Sequence, residues 1–297
     1  MSLRRLIRRG TLAFVAVAAL ATTPAAAADC DRTCLSGMLT RYIAALVAHD
    51  PSALPLTPNA RFTEDSRVLK LGEGLWRTVT RNGEFRHDYL DEKKHVAVAH
   101  VELFEGSRSV LYSVALHMDG ARIAGIETLA QRVTPDSRFQ PTELGASIRG
   151  MNDPVPSGKG QSRTALIATA LTYADGLRRG DFTDAGTPFA HDAYRVENGV
   201  ITAGHGCKLS DCGMYSQRIM VHPGLLASVV AVDEHAGTVV LWMNFGFTDS
   251  YGPGKALLTY EAFKVWGGEI HAINAFFEPL PISTPRGWKS AEPPVQR

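Results

Sequence analysis

Two asparagines sit inside apolar strands, where asparagine is rare. Asn244 lies in TVVLWMNFGF and Asn274 in EIHAINAFFE. Strands are depleted in asparagine because its amide competes for local backbone hydrogen bonds. Alternation puts Val240, Trp242, Asn244 and Gly246 on one face of the first strand. Val239, Leu241, Met243, Phe245 and Phe247 occupy the other, a uniformly apolar core face. On the last strand Ile270, Ala272, Asn274 and Phe276 share a face, with His271, Ile273, Ala275 and Phe277 opposite. Facing a pocket, the two amides and the Trp242 indole would supply donors to a developing oxyanion. Tyr194, Arg195, His205, Tyr215 and Arg218 come from an irregular segment that would cap such a pocket. His205, Tyr215 and Arg218 are the candidate catalytic groups. Tyr194, Trp242, Asn244, Asn274 and Phe276 are the candidate substrate contacts. The chemistry would be proton transfer.

Plainer readings stand beside these. A strand tryptophan is usually core. His205, in AGHGC, fits a loop, His222 before Pro223 a surface, and His191-Asp192 a turn. In the first half, Glu64 and Asp65 of RFTED and His87, Asp88 and Tyr89 of FRHDYLD read as solvated loop clusters. Glu102 and Glu127 lie in apolar strands and fit either a pocket or an exposed edge. There is no glycine-rich phosphate loop, no GxSxG and no cysteine–histidine pair in a nucleophile context. No cofactor is expected.

The elements that must position these residues come in two similar sets. CLSGMLTRYIAALVAHD carries Met38, Leu39, Tyr42, Ile43, Leu46 and Val47 at helical spacing and stops at Asp50-Pro51. An irregular stretch leads to three candidate strands, His95 to Phe104, Ser109 to Met118 and Ala121 to Val133. Asp119-Gly120 between apolar runs is a hairpin signal. The second half repeats the order. TALIATALTYADGLRRGDF has the stripe Leu166, Ala170, Tyr173, Leu177, ending near Gly180. A helix or turn follows from Met214 to Met220. The hairpin through Asp233 to Gly237 comes next, then strands Lys255 to Trp266 and Glu269 to Glu278. A Pro/Gly/Ser-rich linker, Thr134 to Gln161, separates the halves, and a Pro-rich tail runs from Pro279 to Arg297. The resulting division is 29–133, linker 134–161, 162–280, and tail 281–297. Each half is an α+β pattern, a helix packed on one face of an antiparallel meander. Interior glycines Gly125 and Gly246 favour bent strands.

The first 28 residues read as a cleavable export signal. Arg4, Arg5, Arg8 and Arg9 precede an apolar run, Thr11 to Ala21, and Ala26-Ala27-Ala28 fits the small-x-small cleavage rule. The run is too short to span a bilayer, which takes about 20 residues. The arginine pairs leave open export in the folded state. The protein is expected to be periplasmic or secreted, with no membrane span after signal removal. Its 31 basic and 30 acidic residues are balanced and form no basic patch, so no nucleic-acid partner is expected. A small-molecule ligand or substrate is expected, and a homodimer stays open.

Cys30, Cys34, Cys207 and Cys212 are the only cysteines. In an oxidising compartment an even count reads as disulfides. Of three pairings, the local pairs Cys30–Cys34 and Cys207–Cys212 are preferred, because each spacing closes a small loop. No CxxC or HExxH accompanies them, so no metal site is expected.

Several stretches carry a resemblance: the first helix running into HDPSALPL, RFTED, LGEGLW, YRVENGV, the cysteine loop, VVAVDEHAGTVV, and EAFKVWGGEIHAINAFFEP with a later GW. In that order they resemble a family of exported tandem-domain proteins of unknown function with the SnoaL-like, nuclear transport factor 2-like cone fold. The resemblance implies two tandem cone-shaped domains, each a curved antiparallel sheet wrapped on helices. It also implies acid–base work on small hydrophobic substrates. Two departures stand out. Asn274 occupies a position where relatives tend to carry glutamate, and NFGFTD replaces an aromatic-rich FFDH-like run. An amide cannot act as a base, so a family mechanism does not carry over through Asn274.

Two functions compete on this reading. One is an exported, cofactor-independent lyase or isomerase with a cone-shaped pocket. The other is a binding protein without turnover. A buried carboxylate or histidine at the pocket favours the enzyme. A closed first half beside an open second half would make the first a scaffold.

Overall fold

The computed structural model describes residues 30–142, 144, 150–247 and 249–289. The export signal lies outside them, as do part of the linker and the end of the tail. The first half opens with α1 (Arg32–Val47). The Asp31 carboxylate caps it by accepting from Cys34 N at 2.9 Å. Strands β1 (Leu56–Glu64), β2 (Arg67–Leu69), β3 (Arg81–Asp91), β4 (Val96–Glu105), β5 (Arg108–Asp119) and β6 (Arg122–Arg132) follow. The second half repeats this with α2 (Arg163–Arg179), β7 (Phe189–Glu197), β8 (Val200–Gly204), β9 (Leu226–Asp233), β10 (Thr238–Asn244), β11 (Lys255–Trp266) and β12 (Glu269–Pro281). Ser162 caps α2, and Gly180 ends it with the positive φ that glycine tolerates. The segment from Met214 forms a turn and then runs irregularly to Met220.

The sheets have matching orders, β2-β1-β6-β5-β4-β3 and β8-β7-β12-β11-β10-β9. In each, one pairing is parallel, β1 with β6 and β7 with β12. Among the described residues these are two six-stranded mixed sheets accompanied by only two α-helices. The expected α+β cones, curved antiparallel sheets wrapped on helices, do not form. Each half, in its described residues, is mostly sheet, with an α-helix lying against one face. Polar FRHDYLD, read as a loop, is β3, paired to β4 through Asp88↔Ala99. A tandem organisation is compatible with the two matching sheets.

The hairpins preceding β2 and β8 show the repeat at the residue level. Asp65 and Asn198 both take positive φ. Asp65 Oδ1 accepts from Ala130 N, and Asn198 Oδ1 from Phe277 N. Both are short polar residues of the kind that tolerates this conformation, and here each side chain ties its hairpin to the neighbouring strand.

The other sheet faces meet in a seam. Its apolar core joins Phe85, Tyr89, Val98 and Leu111 of the first half to Val240, Trp242, Tyr260 and Phe276 of the second. Reciprocal ion pairs flank it. Arg163, at the start of α2, grips Asp91 of the first half, and Arg32, at the start of α1, grips Asp233 of the second. The linker folds onto the second half, where buried Lys264 donates to the carbonyls of Met151, Asp153 and Ala236.

The tail crosses back to the first half. Arg286 binds Glu127 through Nε and Nη2 at 2.8 and 3.0 Å, with both side chains almost fully buried. Trp288 donates to Thr63 Oγ1 at 2.9 Å and stacks on His117 with centroids 4.5 Å apart. Gly125 leaves the room for this ring, since a Cβ there would run into it. Glu127 is thus neither a pocket wall nor an exposed edge.

Candidate functional site

At the end of the second sheet's helix-facing side, reaching round to Gln131 and Arg132 of the first half, opens a cavity of about 660 Å³. Glu278 enters it from the seam-facing side of β12, in alternation with Asn274 and Phe276. Leu177 at the end of α2, the tips of β7, β11 and β12, residues 217–222 and part of the linker enclose it. Phe139, Phe245, Leu257 and Phe277 give it apolar walls, among polar groups that include Arg195, His222, Tyr251 and Glu278.

His222 is buried, not superficial. Its backbone N–H donates to Leu177 O at 2.9 Å, which tucks the residue under the end of α2. The ring stands edge-on to Phe245 at 4.9 Å, and Nδ1 has no partner among the described residues. Burial lowers its pKa, so it is neutral at physiological pH. Glu278 sits at the far end of β12. Burial, then the charge of Asp65, pushes its carboxyl up to about 7. Burial also pushes Tyr251 up to about 12, so it keeps its proton.

Deeper on the same side lies a polar relay. Arg195 donates to Tyr173 Oη and Thr202 Oγ1, both at 3.0 Å, and pairs with Glu197 at 3.2 Å. Glu261, on β11 beyond Thr259, is 1% exposed, and its Oε2 is unpartnered among the described residues. Burial, then the charge of Glu197, pushes it up to about 8. One guanidinium between two carboxylates leaves Glu261 protonated at neutral pH.

The equivalent space in the first half is filled. Trp76 meets Tyr42 edge-on at 5.6 Å, and Tyr42 and Tyr112 hydroxyls bond at 2.8 Å. Glu64 is buried there, accepts from Leu75 N at 2.9 Å, and is pushed up to about 7 by burial. The solvated loop expected for Glu64 does not form.

Asn244 and Asn274 share a sheet face, but that face is the seam. Asn244 donates to the carbonyls of Ile282 and Thr284 and accepts from Gly246 N. Asn274 donates to His100 Nδ1 at 2.8 Å, and Phe276 stacks on that imidazole at 4.6 Å. Trp242 is buried in the seam, and Tyr194 packs against it. None of these five lines the cavity. Tyr215 is half exposed, and its hydroxyl is tied to Thr187 O and Phe189 N. His205 is exposed on its loop, and Arg218 lies on the cavity rim. The trio does not share that cavity.

The residues that do converge had faint signals. Glu261 is a lone carboxylate in the apolar strand ALLTYEAFKV, in alternation with Leu257 and Phe263. His222 carried no signal, because His-Pro-Gly reads locally as a turn.

Both disulfides are local, Cys30–Cys34 and Cys207–Cys212. Among the described residues, no group of three His, Cys, Asp or Glu could hold a metal ion. No helix there is long and apolar enough to cross a membrane. Residues 159–277 match the model of a family described as a domain of unknown function (DUF8021). The match spans α2, β7 to β11 and most of β12. No curated protein matches the chain.

Proposed function

We propose that the chain is an exported, cofactor-independent lyase or isomerase, and that its second half does acid–base chemistry on a small, partly apolar molecule. The carrying observation is that one cavity holds both a neutral His222, whose Nδ1 has no partner among the described residues, and a Glu278 raised to about 7. A neutral imidazole that can accept a proton, beside a carboxyl held near 7 that can give one, suits general acid–base catalysis. In this reading His222 Nδ1 takes a proton from the substrate and Glu278 returns one. The Tyr251 hydroxyl donates to the oxygen on which charge develops. Phe139, Phe245 and Phe277 hold the apolar body. The first half, packed around Trp76, acts as scaffold.

Two local disulfides support the exported assignment. The order of the quoted stretches supports placing the chain among exported tandem-domain proteins.

The test begins with native mass measurement of the protein exported by its own host, which identifies a bound molecule. Incubation of that molecule with fresh enzyme should give an isomer or an elimination product. Glu278→Gln and His222→Gln should each slow the reaction about 100-fold. A molecule that stays bound and unchanged would make this a binding protein instead.

A further inference from the structure

A cavity with apolar walls must still select the polar end of its ligand. Around this one, Arg132, Arg138, Arg195, Arg218 and Lys255 face only Asp136, Glu197 and Glu278. The whole chain is balanced, at 31 basic to 30 acidic residues, so the surplus is local. Two of the cations are occupied within the protein. Arg132 meets Glu64 and Glu105, and Arg195 meets Glu197. Arg138, Arg218 and Lys255 make no ion pair within 4.0 Å among the described residues. On the acidic side Glu278, raised to about 7 by burial, carries less than a full charge at neutral pH. An apolar chamber with uncompensated cations at its rim raises the local concentration of anions. It offers charge-assisted hydrogen bonds to a carboxylate.

We infer that the ligand of this cavity is a small organic acid, with its apolar body against Phe139, Phe245 and Phe277 and its carboxylate at the rim beside Arg138, Arg218 and Lys255. The inference rests on the reading of the cavity as a ligand site, and goes beyond it by fixing the charge class.

The test uses benzoate, 3-phenylpropionate and octanoate, each with its primary amide and its amine, titrated into the full protein and followed by amide-resolved NMR. The acids should bind at least about tenfold more tightly than their amides, the ratio expected from one charge-assisted hydrogen bond. Raising the salt should weaken the acids alone. The double variant Arg138→Gln, Arg218→Gln changes two exposed side chains and should weaken the acids far more than their amides, shrinking the preference. Amides or amines that bind as tightly as the acids overturn the charge assignment and leave the cavity reading intact. If no probe shifts the resonances of Phe245, Leu257 or Phe277, the cavity reading itself fails.

Discussion

Arg163 and Asp91 form a two-point ion pair across the junction of the halves, with Nη1 and Nη2 donating at 2.9 and 2.7 Å. Arg32 and Asp233 repeat it with both bonds at 2.8 Å. Each carboxylate also accepts a backbone N–H from the opposite half, Val232 for Asp91 and Leu90 for Asp233. Removing one partner strands the other in a dry junction. Asp91→Asn should therefore cost about 3 kcal/mol in urea unfolding. Asp91→Leu with Arg163→Leu should cost less than the sum of the single changes. An unchanged urea midpoint in Asp91→Asn would show that the pair does not hold the halves together.

Stability should depend on pH through two opposed sets of groups. Burial raises Glu64 to about 7 and Glu261 to about 8 in the folded chain. Between their unfolded value of about 4.5 and these values the folded state holds the extra protons. Their contribution is therefore full below about 4.5 and lost as pH rises to about 7–8. Burial lowers His87 to about 4 and His100 to about 3. Their contribution is full above about 6.5 and lost as pH falls to about 3–4. Relative to the parent, Glu261→Gln should gain stability between pH 4.5 and 8, and His100→Phe between pH 6.5 and 3. Thermal unfolding across pH 3–9 reads both, and parallel curves for parent and variant would refute the assignment.

Gly125 and Trp288 compete for one volume. Gly125→Ala should push the indole off His117 and Thr63, red-shift its fluorescence and cost about 1–3 kcal/mol, as overpacking does. Because the loss arises from the ring, Gly125→Ala should cost little more when added to Trp288→Ala. Full additivity of the two changes would place the strain elsewhere.

Non-reducing peptide maps of the exported protein should link Cys30 to Cys34 and Cys207 to Cys212. Small loops constrain the unfolded chain little, so Cys207→Ser with Cys212→Ser should cost no more than about 2 kcal/mol. A peptide joining Cys30 to Cys207 would contradict the fold.

Much of the secondary structure was legible because it is local. The stripes of α1 and α2, the Asp119-Gly120 turn and both cysteine loops announce themselves within a few residues. The parallel pairing of β1 with β6 was not, since its partners are more than 60 residues apart. Asn244 and Asn274 show where such reading stops. Alternation put them correctly on one face, but both faces of β10 are buried. Apolarity therefore could not tell the side under α2 from the side against the first half. The cavity escaped for a related reason. It gathers Phe139, Leu177, His222, Leu257 and Glu278 from separate stretches, and no short motif contains two of them.

The Arg286–Glu127 contact also sets a schedule. The two residues are 159 positions apart. At synthesis rates of about 5–20 residues per second, Glu127 leaves the ribosome on the order of ten to thirty seconds before its partner exists. Over that interval the first sheet holds a carboxylate that it cannot bury without cost. Completion of the amino-terminal half is thereby coupled to arrival of the carboxy-terminal strap. A chain crossing a membrane unfolded would gain time from that delay.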